Sequence, residues 1–179
     1  MPAHRVEAVN QRVEVPTSAA MRALGVRLAA LLRAGDLVVL SGPLGAGKTT
    51  LVQGIGDGLG VRGPVTSPTF VIARLHPSLR GGPALVHADA YRLGSRLEVD
   101  DLDLDADLDS SVTVVEWGED RVEQLAPSYL EIAISRPGPD GKAAGQAAGL
   151  GTADDADEPR SVLVAGRGER WSASGLTRA

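Results

Sequence analysis

This sequence of 179 residues predicts an α/β fold, and three observations carry that prediction. The segment Gly42-Pro43-Leu44-Gly45-Ala46-Gly47-Lys48-Thr49 meets every fixed position of the phosphate-loop pattern G-x-x-x-x-G-K-[ST]. The run Leu37-Val38-Val39-Leu40 before it is continuously apolar, as a central buried strand is, and a helical pattern follows. Two further strand-like runs lead into carboxylates, Ala84-Leu85-Val86-His87 into Asp89 and Val112-Thr113-Val114-Val115 into Glu116, where nucleotide-binding α/β sheets place ligand-facing groups. Together they predict one phosphate-loop NTPase domain over residues 1–179, with a central mixed β-sheet flanked by helices and a C-terminal antiparallel strand pair. A chance match to the loop pattern in a chain of this composition has a probability on the order of a few in a thousand.

Composition narrows the class. The chain is long enough to bury a core, and its 43% hydrophobic fraction suits a globular protein. With no Cys, disulfides, thiolate zinc sites and thiol catalysis are excluded, and a reducing compartment is the natural setting. A net charge of −5 with 3% aromatic residues argues against a dedicated nucleic-acid surface, so any RNA contact is expected only through, or shared with, a partner. Arg5, Glu7, Arg12 and Glu14 interrupt the N-terminal segment, which therefore lacks the apolar core of a secretory signal. No run approaches the roughly 18 apolar residues of a membrane span. The expectation is a soluble cytoplasmic protein without membrane contact.

Taken in order, Val13-Glu14-Val15 alternates as a short edge strand, and Thr17-Ser18 caps a helix whose Met21, Leu24, Leu28, Leu31 and Leu32 recur at helical spacing until Gly35. Thr17 and Ser18 are also candidates to lie near a bound base, capping being the simpler reading. In the loop itself, Gly42, Leu44, Gly45, Ala46, Gly47 and Thr50 supply backbone or surface to a nucleotide, because successive N–H groups at a helix N-terminus form an anion nest. Lys48 reaches the outer phosphates, and the Thr49 hydroxyl suits a Mg²⁺ ion, which prefers oxygen ligands and keeps several waters. Leu51, Val52, Ile55 and Leu59 mark the buried face of the following helix. Gly54, Gly56, Gly58 and Gly60 weaken it by about 1 kcal/mol each relative to Ala, so it either leans on tertiary packing or ends early.

Pro68 restricts Ser67 to extended backbone, leaving the Ser67 and Thr69 hydroxyls beside a rigid bend, either a γ-phosphate sensor or a turn into a strand over residues 70–75. His87 and Asp89, two apart, point the same way if the next strand continues, and His4, His76 and His87 are too dispersed for a metal cluster. The acidic run Leu97 to Asp109 fails the calcium-loop pattern, since its sixth and twelfth positions counted from Asp100 are Asp105 and Ser111, and reads as a solvated helix and loop. Trp117, after Glu116, is either a packing residue or a ligand contact. Tyr129 to Ile134 alternates as a strand, residues 137–159 read as a disordered insertion, Ser161 to Ala165 returns as its partner strand, and residues 166–179 form a polar tail pinned by Trp171.

A phosphate loop with Asp89 and Glu116 as functional carboxylates implies Mg²⁺-dependent binding, and hydrolysis, of a nucleoside triphosphate. The guanine-specific N-K-x-D signature is absent, because the one asparagine, Asn10, precedes the loop, so ATP is favoured. A small-molecule kinase would use the same loop, but no arginine-rich lid is evident.

Leu44-Gly45-Ala46-Gly47-Lys48-Thr49-Thr50, Ser67-Pro68-Thr69-Phe70, His87-Ala88-Asp89-Ala90-Tyr91-Arg92-Leu93 and Val115-Glu116-Trp117 resemble the four successive motifs of the bacterial TsaE (YjeE) family, in order and spacing, from about Val13 to Ile134. The resemblance implies the ATPase component of the machinery that makes threonylcarbamoyladenosine beside the anticodon of tRNAs reading codons that begin with A. It implies a partner, the TsaB–TsaD complex, whose state an ATP cycle resets, with the threonylcarbamoyl transfer carried out elsewhere. Carried over, Lys48 and Thr49 serve phosphate and Mg²⁺, Ser67 and Thr69 resemble a switch loop, and Asp89 and Glu116 match the functional carboxylates. Glu116 leans towards Mg²⁺ and Asp89 towards Mg²⁺-bound or attacking water, with the reverse left open. Arg92 contacts a partner or phosphate, or forms a surface salt bridge. A nucleotide-gated binding module, without turnover, is the alternative to an enzyme.

Overall fold

Leu37, Val38, Val39 and Leu40 are at most 1% exposed, and the reason is their place in the sheet. The computed structural model of the chain describes residues 10–68, 72–92, 107–137 and 158–171. Its strands are β1 (Asn10–Val15), β2 (Leu37–Ser41), β3 (Ala73–His76), β4 (Ala84–Asp89), β5 (Ser111–Glu116), β6 (Tyr129–Ser135) and β7 (Arg160–Arg167), with helices α1 (Ser18–Ala29) and α2 (Lys48–Leu59). The sheet order is β1-β7-β6-β2-β5-β4-β3. β2 pairs in parallel with both β5 and β6, and β5 with β4, whereas β1–β7, β7–β6 and β3–β4 are antiparallel. The sheet is therefore mixed, with the expected C-terminal antiparallel pair in β6 and β7. A strand with neighbours on both edges and cover on both faces must be apolar throughout, which is why β2 does not alternate.

On one face Val38, Leu40, Val114 and Ile132 pack with Leu24, Leu28, Leu51 and Ile55 of the two helices. On the other, Leu37, Val39, Val86 and Val115 meet Leu108, Val122 and Ala126. Short 3-10 turns, Leu108–Ser110 and Glu123–Leu125, supply part of that second cover.

Two glycines of α2, Gly54 and Gly58, are explained by its contact with α1, while Gly56 lies against Val65 and Val61. The helix runs its full length to Leu59 and is capped by Gly60. A Cβ on Gly25 would overlap the Leu51 carbonyl oxygen, one on Gly54 the Arg22 carbonyl oxygen, and one on Gly58 would lie 2.5 Å from Ala29 Cβ. Glycine here lets two backbones touch, so close packing offsets the poor helix propensity.

Three expected boundaries shift. α1 stops at Ala29 rather than near Gly35, because Ala30, Leu31 and Leu32 donate back to Arg27, Leu28 and Ala29 in tight three-residue turns. The Leu31 carbonyl is taken by Arg170, and the Arg33 N–H by the Asp36 carboxylate, so neither continues a helical ladder. β3 begins at Ala73 rather than at residue 70, since Ile72 sits at φ 70, outside the extended region. β7 is longer than expected at both ends, through pairing with both β1 and β6. Trp171 is 1% exposed and lies against Gly166, as expected of a pin. Most of the predicted insertion (138–157), the residues after Trp171, most of the acidic run (through 106), and Thr69 and Phe70 lie outside the described residues. Among the described residues no helix is long and apolar enough to cross a membrane.

Candidate functional site

β2 delivers the chain to the phosphate loop at the C-terminal edge of the sheet. Gly42 leaves the strand at φ 144, and a Cβ there would lie 2.6 Å from the Ile134 carbonyl oxygen of β6. Gly47, at φ 104, caps α2, so that Lys48 and Thr49 begin the helix with its N–H groups facing outward. Lys48 Nζ donates to the carbonyls of Gly42 (2.8 Å) and Pro43 (2.9 Å) and lies 3.9 Å from the centroid of the Trp117 ring. Burial pulls the Lys48 ammonium down to about 8, against the opposing pull of the Glu116 and Asp89 carboxylates.

The parallel pairing of β4 and β5 sets Asp89 beside Glu116 in register, both buried. The period of two then puts His87 on the same face as Asp89. Glu116 Oε1 is the meeting point. It accepts the Thr49 hydroxyl at 3.1 Å, from the first turn of α2, and contacts His87 Nε2 at 2.7 Å. Asp89 Oδ1 accepts the Tyr91 N–H at 2.8 Å, which turns the chain out of the strand. Trp117 follows Glu116 at φ 59, and its ring lies 5.0 Å from that of Tyr91.

A cleft of about 330 Å³ collects most of the predicted residues. Leu44, Gly45, Gly47, Lys48, Thr49 and Thr50 form one wall, Asp89 and Glu116 its floor, and Ser67 and Trp117 the remaining sides. Ser67 is exposed, at the rim, and Thr69 is outside the described residues. Gly42 lies instead in an adjoining cavity of about 300 Å³, with Tyr91, Trp117 and Glu119. Burial and neighbouring acidic groups raise the Glu119 carboxyl above its ordinary range. Ala46, nearly buried, borders a third pocket of about 130 Å³ behind the loop, shared with Thr17, Ser18, Met21, Glu158 and Arg160.

Two residues for which the sequence left a choice have defined contacts here. Thr17 caps α1, accepting the Ala20 N–H at 3.1 Å, and also lines the pocket behind the loop. Trp117 belongs to the cleft and touches Lys48 rather than serving the core alone. Sequence reasoning missed the His87 contact with Glu116, although the shared face of His87 and Asp89 was the signal for it. It also missed Arg136, whose Nη2 donates to the Gly45 carbonyl at 3.3 Å, and the Arg160–Glu158 pair at 2.7 Å. These three residues bound the Gly/Ala/Asp-rich stretch, where composition gives no hint of a return to the loop.

Chemically, a concave row of N–H groups, a lysine and a carboxylate-bound hydroxyl can hold a polyphosphate and a hard cation. Thr49, Asp89 and Glu116 offer oxygen donors alone, as such a cation requires. Among the described residues no group of three carboxylate, imidazole or thiolate side chains would cage a metal without help. A cation that completes its shell with phosphate oxygens and water needs no such cage.

Residues 15–143 match the family model described as threonylcarbamoyl adenosine biosynthesis protein TsaE. The tRNA threonylcarbamoyladenosine biosynthesis protein TsaE of Streptomyces coelicolor is 58% identical over 158 residues, 88% of this chain and 97% of that protein. The protein of the same name from Bacillus subtilis is 40% identical over 120 residues, 66% of this chain and 73% of the relative. The crystal structure of Bacillus subtilis YdiB superposes with a TM-score of 0.68 at 28% identity, over 92% of this chain and 90% of that one.

Proposed function

Because this chain belongs to the TsaE family, and with it to the biosynthesis of threonylcarbamoyladenosine in tRNA, we propose that it is the Mg²⁺-dependent ATPase of that machinery, acting in the cytoplasm on a TsaB–TsaD complex. One observation supports this reading above the others: the Thr49 hydroxyl rests on Glu116 at the mouth of the phosphate loop, 3.1 Å from Oε1. That arrangement lets Thr49 keep its hydrogen on Glu116 while a lone pair faces the cleft.

In this reading the N–H groups of residues 44–50 cradle the phosphates. Lys48 exchanges the Gly42 and Pro43 carbonyls for the outer phosphate oxygens, leaving the Trp117 ring as it extends. Bound Mg²⁺ would neutralise charge on the β- and γ-phosphates. Thr49 and Glu116 would hold it, Glu116 directly or through water, and Asp89 would orient the water for attack on the γ-phosphorus, with ADP as the leaving group and the water's protons passing to the released phosphate and solvent. Ser67 stands at the rim, where a switch residue senses the γ-phosphate, with Thr69 as its sequence neighbour in that role. The pocket of Thr17, Ser18 and Met21 behind the loop takes the adenosine end. The absence of a guanine-specific N-K-x-D motif favours ATP over GTP. tRNA is met through, or shared with, the partner complex, consistent with the acidic, aromatic-poor composition.

Phosphate release, measured with and without TsaB–TsaD and with and without EDTA, tests the proposal. Hydrolysis that requires Mg²⁺ and rises with the partners is expected. Glu116→Ala is expected to keep nucleotide binding and to lower turnover by about 100-fold or more, and unchanged turnover would remove Glu116 from the site. A nucleotide-gated binding module is the second reading, favoured by Lys48, which already has partners in its own loop and so can switch between two sets. No hydrolysis under either condition, with ATP-dependent co-purification of the partners, would establish it instead.

A further inference from the structure

We infer that His87 is the positioning residue of the nucleotide site, fixing the Glu116 carboxylate so that one oxygen is held by the protein and the other is aimed into the cleft. The inference rests on the reading of Glu116 as a carboxylate of that site. His87 does not line the cleft and was predicted for no role there. Its side chain is 0% exposed and that of Glu116 4%, with Nε2 and Oε1 2.7 Å apart. Nε2 donates to the carboxylate, and the second ring nitrogen, Nδ1, is buried without a hydrogen-bond partner. A ring placed only for packing would gain nothing from sealing a polar nitrogen in the core. This ring accepts that loss and spends its one engaged nitrogen on Glu116.

The reach is set by the sheet. His87 sits opposite Val114 in the β4–β5 register, so its ring extends diagonally towards Glu116 on the same face. Thr49 donates to the same oxygen from α2. Two donors from different elements, converging on Oε1, fix the rotation of the carboxylate about its last bond. Oε2 carries neither of these two bonds. Partners of this kind orient groups that bind metal and commonly change metal affinity when removed.

Reach also supplies the test, because glutamine carries an amide nitrogen at the distance of imidazole Nε2 and asparagine at that of Nδ1. The wild-type protein, His87→Gln and His87→Asn are loaded with a non-hydrolysable ATP analogue. Mn²⁺ affinity is then measured by electron paramagnetic resonance, with metal-free nucleotide affinity and thermal melting alongside. His87→Asn is expected to lose roughly 10–100-fold in Mn²⁺ affinity, with metal-free nucleotide affinity close to wild type and kcat lowered more than KM. His87→Gln is expected to recover most of the Mn²⁺ affinity. Equal losses in both variants, or wild-type Mn²⁺ affinity in His87→Asn, would overturn the inference while leaving the ATPase reading intact. Absence of metal-dependent nucleotide binding in the wild type would overturn both. If neither variant folds, ¹⁵N resonances of the His87 ring in the wild type decide: Nε2 is expected to shift when Mg²⁺ joins the bound nucleotide, and an unmoved resonance overturns the inference.

Discussion

At the N-terminus of α2, Gly47 stands at φ 104 with Met21 Cε 3.4 Å from where a Cβ would be, whereas in its interior Gly54 is helical and closed against the backbone of α1. The first glycine is needed for its torsion and has room; the second has an ordinary torsion and no room. Gly25 and Gly58 belong with the second, Gly42 partly with both. A glycine-rich helix is thus not a weak helix here. The seam holds α2 rigidly in place, and the loop at its head keeps the open backbone that a phosphate requires.

Substitutions can break that contrast. The largest effect is expected from Gly54→Ala, whose methyl would collide with the Arg22 carbonyl oxygen. Overpacking should lower stability by about 3 kcal/mol after any gain in helix propensity, read by urea denaturation, and a loss below about 1 kcal/mol would show that the helices can part cheaply. Gly47→Ala is expected to cost less stability, about 2 kcal/mol for a left-handed alanine, yet to weaken ATP binding more than Gly54→Ala does in its folded fraction. Calorimetric titration checks this, and equal affinities in the two variants would erase the distinction.

Lys48 sharpens the loop side. Its ammonium is lowered to about 8 by burial, so it is cationic below that pH and neutral above it. Nucleotide affinity is expected to fall about tenfold from pH 7 to 9 as the cation is lost. The unfolded chain keeps this proton up to the ordinary lysine range, so folding stability should move the other way and rise above pH 8. An affinity that is flat across this range would mean that the lysine is not the phosphate's cation. The smallest effect concerns the start of α1: Thr17→Ala removes the cap on Ala20 and is expected to cost about 1 kcal/mol, seen as a small fall in Tm.

The fold of the phosphate loop was legible because it is encoded in consecutive residues, torsions and a helix start. Strand β2 was legible for the same local reason, and so was the alternation that gave β6. The end of α1 was not, since Arg170 and Asp36, remote or beyond a turn, decide where its last carbonyls and N–H groups go. Nor was the start of β3, where an isoleucine adopts a positive φ that its residue type disfavours. The glycines of α2 posed a choice that propensity left open, because for Gly54 and Gly58 the answer lies on the facing helix.

By itself, then, the sequence determined a triphosphate loop after a buried strand, two carboxylates at the ends of neighbouring strands, and the family to which those motifs belong. These are patterns of adjacent residues, and local torsion and hydrophobicity suffice to express them. Tertiary structure decided which oxygen of Glu116 is held, that His87 and Thr49 hold it together, and that Trp117 covers Lys48. The His87 and Thr49 contacts join β4, β5 and α2 at one oxygen, through the parallel β4–β5 pairing and the first turn of α2, and no spacing along one strand or helix specifies a meeting of three separate elements at one atom.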